Sequence, residues 1–487
     1  MRYFSNNSLE ILEAPAQGGV NEQSKEINSY AQKFLMDADQ IPPTVERKRA
    51  AQHIRAMSGM VPFLCSMFLC INTCAQQSNG NVSYALNDIP DSAVAFKTDT
   101  TGSAGATMKN YLLEQRDVYD VLKMLFGLDI TPSDTVSKEK GTLYVAAIPG
   151  VGYSLSTRVA FTIGANAGLY TDNIDSVNLS TFNSDPTYTT NHQIVLPFQS
   201  NVWTPGNEYN FLGNWVFYKY PQLTFGLGGH TLASAAEQLD YRYVQFRETV
   251  LKKIYTDVYA GVGYALDYRW DITDGGLPGG EISDFQRYVQ RYAEASKSFS
   301  SGYTLDVKYD GRQNPINPPK GYYASVMYRN NSAFLGSDGN WQSMIFDLRS
   351  YYKLSADSKN VLAFWSYDWF ILQGTPSYLD LPASSWDEYA NQGRGYIQSR
   401  FRGRSLISLE SEYRFGITNN GLFGGVVFAN AQSVSDWPSN QFTVLHPALG
   451  CGIRFKMNKH DDTNLAIDYG FGLQGSQGVF VNLGEVF

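Results

Sequence analysis

The chain has 487 residues, a formal net charge of −8 and a mean hydropathy of −0.28, with 14% aromatic residues that include 33 tyrosines. The acidic balance argues against a nucleic-acid or anionic-surface binder that relies on bulk charge. Length alone fits about two or three soluble domains, but the polar average does not exclude a membrane protein, because a barrel hides its apolar face at every second residue.

Residues 1–56 are polar and mixed, with basic residues at Arg47, Lys48, Arg49 and Arg55. Met60 to Ala75 then form a short apolar run that ends in small residues, Thr73 and Ala75. Positive charge, a brief apolar stretch and a small-residue site follow the order of a secretory leader, and the run is too short to cross a bilayer as a helix. The expectation is a signal peptide over 57–75, cleaved after Ala75. Translation then starts at Val45, Met57 or Met60; a long leading region or an anchor over 1–56 is the alternative. Lipidation at Cys70 or Cys74 is a lesser option, since Ile71, Asn72 and Thr73 make a poor lipidation site. Cys65, Cys70 and Cys74 leave with the leader, so Cys451 stands alone, with no internal disulfide or cysteine metal cluster open to it. It alternates with Gly450 and Gly452, which reads as a small lipid-facing residue rather than a nucleophile.

Residues 76–140 are a linker, with a Thr/Ser/Gly/Ala stretch at 100–107. Val118, Val121, Leu122, Leu125 and Phe126 recur at helical spacing and predict one amphipathic helix. From Gly141 to the end, strand signals alternate with turn clusters. Val159, Phe161 and Ile163 share a face, as do Trp215 and Phe217, then Leu223, Phe225 and Leu227. Val258, Ala260, Val262 and Tyr264 oppose Tyr259, Gly261 and Gly263. Tyr303, Leu305, Val307 and Tyr309 oppose Asp306, Lys308 and Asp310. Leu465, Ile467, Tyr469, Phe471 and Leu473 oppose Ala466, Asp468, Gly470 and Gly472. In the last segment, Val479, Val481, Leu483 and Phe487 fall together. Tyr218, Tyr220, Tyr351 and Tyr352 at strand ends suit a membrane interface, where a ring is part dry and part wet.

The sharpest alternation follows Gly393-Arg394-Gly395-Tyr396 and the segment Ile397 to Arg404. Ile407, Leu409, Tyr413 and Phe415 lie on one face of the next strand, and Ser408, Glu410, Glu412 and Arg414 on the other. Two acids and an arginine facing inward are costly in a soluble β core and ordinary in a wet barrel lumen. A closed antiparallel sheet is expected, because lipid offers no partner to an open edge.

The Arg-Gly-aromatic loop, the Glu-x-Arg strand (Glu412, Arg414) and the terminal phenylalanine together resemble the bacterial surface antigen superfamily, which includes the barrel of the outer-membrane insertase BamA. The resemblance spans about residues 141–487. It implies an all-β protein, a transmembrane antiparallel barrel of about 16 strands in the outer membrane of a diderm bacterium, with a short helical periplasmic segment before it. In the family the loop folds into the lumen and its arginine meets acids on the wall. Arg394 takes that role here, with Gly395 at the turn and Tyr396 beside it; the bland alternative is that Arg394 satisfies one of many lumen charges. The family's usual acceptor, in Phe-x-Asp, falls on Phe428-Ala429-Asn430, where an amide replaces the acid. Asn430 keeps a hydrogen bond, or the contact moves to Glu410 or Glu412. Phe487 resembles the terminal aromatic by which such barrels are recognised for insertion. The segment 76–140 is too short and too poor in strands for a POTRA module.

The implied function is insertion or translocation of proteins or lipids at the outer membrane. Its partners are outer-membrane lipids and client barrels, lipoproteins or lipids, with no nucleic acid among them. The alternative is a passive channel or structural barrel without insertase activity. His53, His192, His230, His446 and His460 are scattered, with no metal-binding spacing and no nucleophile motif. Gly226-Leu227-Gly228-Gly229-His230 has no following helix or phosphate-binding lysine and reads as strand glycines. No enzyme, cofactor or metal site is expected.

Overall fold

The computed structural model describes residues 115–118, 120, 121, 124 and 141–487, apart from 174–176, 293–295, 356–358 and 460–461. Every described residue lies in the unit Asn72–Phe487. The leader at 57–75 and the extension 1–56 fall outside the described residues, as does most of 76–140.

Eighteen strands make one sheet. The first seven are β1 (Tyr144–Ser154), β2 (Arg158–Leu169), β3 (Ser180–Ser184), β4 (Thr187–Thr189), β5 (Ile194–Trp203), β6 (Tyr209–Lys219) and β7 (Gln222–Thr224). Then come β8 (Glu237–Tyr255), β9 (Val258–Asp274), helix α1 (Asp284–Tyr292), β10 (Ser298–Asp310), β11 (Gly321–Asn331) and β12 (Trp341–Lys353). The chain closes with β13 (Val361–Gly374), β14 (Ser405–Gly416), β15 (Phe423–Val434), β16 (His446–Lys456), β17 (Asn464–Gly472) and β18 (Gln477–Leu483).

Every ladder is antiparallel. Both β3 and β4 lie between β2 and β5, and both β6 and β7 pair with β8. Two places are therefore shared, and the eighteen strands fill sixteen positions in the wall. At the ends of the series β1 lies beside β18, which brings the sheet round on itself as a barrel. The two end strands meet there without a paired ladder among the described residues, β1 pairing with β2 and β18 with β17. Among the described residues no helix is long and apolar enough to cross a membrane.

The period of two sorts the side chains. On β14, Ser408, Glu410, Glu412 and Arg414 are buried inside, while Leu409 is exposed outside. On β10, Tyr303, Leu305, Val307 and Tyr309 are exposed on the outer face. Cys451 is also exposed, between the outward Leu449 and Ile453.

Four sequence expectations need correction. The strand over Leu223–Leu227 stops at Thr224, and Phe225 and Leu227 are buried in a loop. Gly226 and Gly228 there hold φ of 96° and 99°, so they are loop glycines and not strand glycines. Of the four interface tyrosines only Tyr352 is exposed outside; Tyr220 and Tyr351 are buried within, and Tyr218 packs on the interior Tyr220 and Tyr243. The long-loop cap packs on Tyr220, while Tyr351, at the short-turn end, packs inside on Phe487, so interior packing takes rings that the sequence assigns to the interface. Helix α1 was not expected. Its signal is a capping box, in which Ser283 Oγ accepts from the Gln286 N–H at 3.1 Å and Gln286 Oε1 from the Ser283 N–H at 3.2 Å. Finally, Phe487 does not share the outward face of β18. That strand ends at Leu483, Gly484 turns with φ 94°, and Phe487 is buried inside.

Of the N-terminal helix, Val118, Asp120, Val121 and Met124 are helical, while Leu122, Leu125 and Phe126 lie outside the described residues. Asp117 and Asp120 cap its start reciprocally, at 3.0 and 3.1 Å. This start docks on the rim of short turns. The Arg116 N–H donates to the Asn420 carbonyl at 2.9 Å, and Lys459 Nζ to Asp120 at 2.9 Å.

Candidate functional site

The connection from β13 to β14, residues 375–404, enters the barrel from the end that carries the long loops. It is pinned there by charge. Arg269 and Ser300 both bind Asp380, the latter at 2.6 Å. Arg402 donates to the carbonyls of Tyr378 and Leu381, each at 3.1 Å, and Arg400 to the Thr231 carbonyl at 2.8 Å. Tyr378, Leu379 and Leu381 join Tyr241, Tyr243, Phe285 and Tyr288 in one apolar cluster, so α1 and the loop pack as a single cap over this end. Farther down, Asn391 Nδ2 donates to the Val486 carbonyl at 2.9 Å. The loop therefore runs from the long-loop end to the C-terminal residues. Between these anchors, burial raises the Asp387 carboxyl above its ordinary range despite the Gln392 and Asn391 N–H groups that it accepts.

Arg394 sits in the middle of this descent with only 1% of its surface exposed. Nε donates to Glu410 Oε1 at 3.0 Å, and the terminal nitrogens bind Glu410, Glu412 and Asp468. Its plane lies on the Phe428 ring, 3.8 Å from the centroid. Burial opposes the guanidinium charge, but Glu410, Glu412 and Asp468 outweigh it and raise the pKa. Three carboxylates on β14 and β17 thus hold one planar cation, a geometry that a lysine point charge cannot reproduce.

The backbone of the loop touches the wall here. Gly395 has φ 105°, and a Cβ added to it would lie 2.9 Å from that of Ala448. A Cβ on Gly470 would lie 2.7 Å from Gly395 N, so glycine is required on both sides of the contact. Tyr396 then fits against β16 and β17. Its hydroxyl donates to the Pro447 carbonyl at 2.7 Å and accepts from the Leu473 N–H at 2.9 Å.

The structure therefore gathers Arg394, Gly395, Tyr396, Glu410, Glu412 and Asn430 at one place. Asn430 does not receive the guanidinium. Its side-chain amide donates to the Arg394 carbonyl at 2.8 Å, so it holds the loop backbone. Asp468 is the partner that the sequence reading missed. Its inward position was legible on its strand, but its approach to Arg394, 74 residues earlier, depends on long-range packing.

Phe487 belongs to the same network. Arg414 donates to Glu412 at 2.7 Å and to the Phe487 carbonyl at 2.9 Å. Arg454 joins Glu485 at 2.7 Å to Asp468. Burial alone would raise the Glu485 carboxyl, but Arg454 and Arg414 hold it below the usual range. The Phe487 ring stacks on Trp365 at 5.2 Å and packs on Tyr351. Phe487→Ala is expected to cost about 3 kcal/mol by leaving a cavity on Trp365. The lower midpoint should appear in heat-modified gel mobility of the refolded barrel.

Three solved barrels are similar in outline. BamA from Haemophilus ducreyi, in a crystal structure lacking POTRA domains 1–3, is 13% identical, with 70% of this chain and 69% of that one covered and a TM-score of 0.48. CdiB from Acinetobacter baumannii is 13% identical, with 70% and 60% covered and a TM-score of 0.43. CdiB from Escherichia coli is 8% identical, with 70% and 62% covered and a TM-score of 0.43. The chain thus spans less than two thirds of either CdiB. No curated protein matches it in sequence. Residues 150–479, more than half of the chain, match the Omp85 superfamily domain. With that match on a sixteen-place antiparallel barrel, the chain belongs to the Omp85 superfamily, the surface antigen barrels that its loop and strand motifs resemble.

Proposed function

We propose that this protein resides in the outer membrane of a diderm bacterium and inserts or translocates a protein or lipid client, without chemically transforming it. The observation that carries the reading is the lumen loop fixed by Arg394 to Glu410, Glu412 and Asp468 inside an Omp85 barrel. A loop held by a buried ion cluster has a defined position against the wall, and a step that reshapes the barrel can be coupled to its release. The partners are outer-membrane lipids and client barrels, lipoproteins or lipids.

The other reading, a passive channel, predicts a lumen that conducts. The cap built from α1 and the 375–404 loop favours the first reading, because it fills the end where an open pore would need a mouth. Depletion of the protein, followed by quantitative comparison of outer-membrane proteins and lipids, tests the choice. Loss of particular barrels, lipoproteins or surface lipids is expected and names the client class. An unchanged envelope together with steady conductance in planar bilayers would replace this reading with the channel.

A further inference from the structure

The outer wall carries an acid. Glu248 on β8 pairs across the ladders with Gly213 of β6 and Tyr264 of β9. It shares its face with Val250, and the cross-strand neighbours of Val250, Phe211 and Val262, are exposed as well. Above it on the strand, Phe246 stacks on Trp215 at 5.5 Å, and Trp215 stacks on Phe198 at 5.1 Å. Glu248 thus stands within the apolar band that faces lipid, where an ionisable group is costly and marks a partner.

The surroundings form a notch. The Trp215 indole N–H donates to Glu248 Oε1 at 2.7 Å. Gly213 lies under the carboxylate, and a Cβ there would sit 2.5 Å from Ser200 Oγ and 2.9 Å from Glu248 Oε1. A hydroxyl and a carboxylate therefore converge over the one residue type that leaves them room. Among the described residues Trp215 is the only side-chain partner of Glu248, and no cation pairs with it.

A second outward acid gives the contrast. Asp368 on β13 accepts from Ser366 Oγ at 3.0 Å and from the Ser408 N–H at 3.3 Å, so both of its oxygens are satisfied within the chain. Among the described residues Glu248 has a side-chain donor on Oε1 alone.

We propose that Ser200, Gly213, Trp215 and Glu248 form a docking notch for a membrane-spanning protein segment that presents a lysine or arginine at mid-bilayer depth. Charge complementarity selects the occupant. Apolar residues lie on both sides of Glu248 along β8, so lipid at this level offers acyl chain and not head group. The partner's own buried cation gains a counterion that hydrocarbon cannot supply. The notch shares no residue with the Arg394 cluster.

The test uses the full chain reconstituted in phosphatidylcholine vesicles with dansyl-labelled transmembrane helices of leucine and alanine. One helix carries a central lysine and its twin a central leucine, and association is read by energy transfer from tryptophan. The lysine helix is expected to bind about tenfold more tightly than its twin. Glu248→Gln, which keeps the hydrogen bond to Trp215, should abolish the preference, and so should Gly213→Ala, which fills the notch. Asp368→Asn should leave it intact. Equal binding of the two helices, or a preference that survives Glu248→Gln in a barrel of normal heat-modified mobility, would overturn the proposal. So would loss of the preference when phosphatidylethanolamine replaces phosphatidylcholine, because the occupant would then be a lipid amine.

Discussion

Arg394→Ala is expected to free the lumen loop while the barrel wall stays folded. The change removes the one cation shared by Glu410, Glu412 and Asp468, all buried, and leaves three carboxylates in the same space. Breaking a buried pair by deleting one partner costs about 3–5 kcal/mol, mostly as the penalty of the charge left behind. Arg414 and Arg454 still neutralise part of the cluster through Glu412 and Asp468, which is why the wall should survive. Limited proteolysis of the refolded protein reads the result: new cleavage between Ser384 and Arg404, with the strands still protected. Arg394→Lys should fail almost as badly, since an ammonium cannot span three acceptors and lie flat on Phe428. If Arg394→Ala left the loop as protected as before, the upper anchors at Asp380, Arg400 and Arg402, with the Tyr396 and Asn430 contacts, would be enough to hold it.

Gly470→Val separates shape from charge. Every ionic partner of Arg394 remains, but a side chain now rises where Gly395 N lies 2.7 Å from the new Cβ, with Gly395 Cα at 2.9 Å. Those are backbone atoms that cannot rotate away, so relief requires the whole loop to lift. Overpacking of this kind costs about 1–3 kcal/mol. Lifting the loop also breaks the Tyr396 contacts with Pro447 and Leu473. The same cleavage window should open as in Arg394→Ala. If it stays closed, the ion cluster and the upper anchors fix the loop and the close backbone approach is incidental. Cells that carry either variant should show the envelope defect of depletion if loop position is what the function needs.

Much of this site was legible in residue order. The alternation through Glu410, Glu412 and Arg414 placed three charges inside, and the Arg-Gly-aromatic stretch pointed to a loop that meets them. The replacement of aspartate by Asn430 raised the question of where the guanidinium would go. Packing answered it: Arg394 takes the two glutamates and Asp468, and Asn430 turns to the Arg394 carbonyl. Asp468 was visible as an inward residue of β17, but nothing local tied it to a loop 74 residues away. The misplacement of Phe487 has a local cause. Period two assigns it outward only while the strand continues, and Gly484 with φ 94° ends the strand first.

The sequence by itself determined the class of protein, because alternation follows from the strand's twofold repeat and lipid accepts only a closed sheet. It also pointed to the loop whose arginine meets the inward acids of β14. It did not determine which rings face outward. Tyr351 and Tyr352 are adjacent and chemically identical, yet one is buried on Phe487 and the other exposed outside. Nor did it reveal Glu248, since β8 carries polar and apolar residues on both faces and only its ladders with β6 and β9 fix the direction in which each one points. Tertiary structure decides these matters because face, partner and depth are properties of register and loop packing, which join residues that the chain keeps far apart.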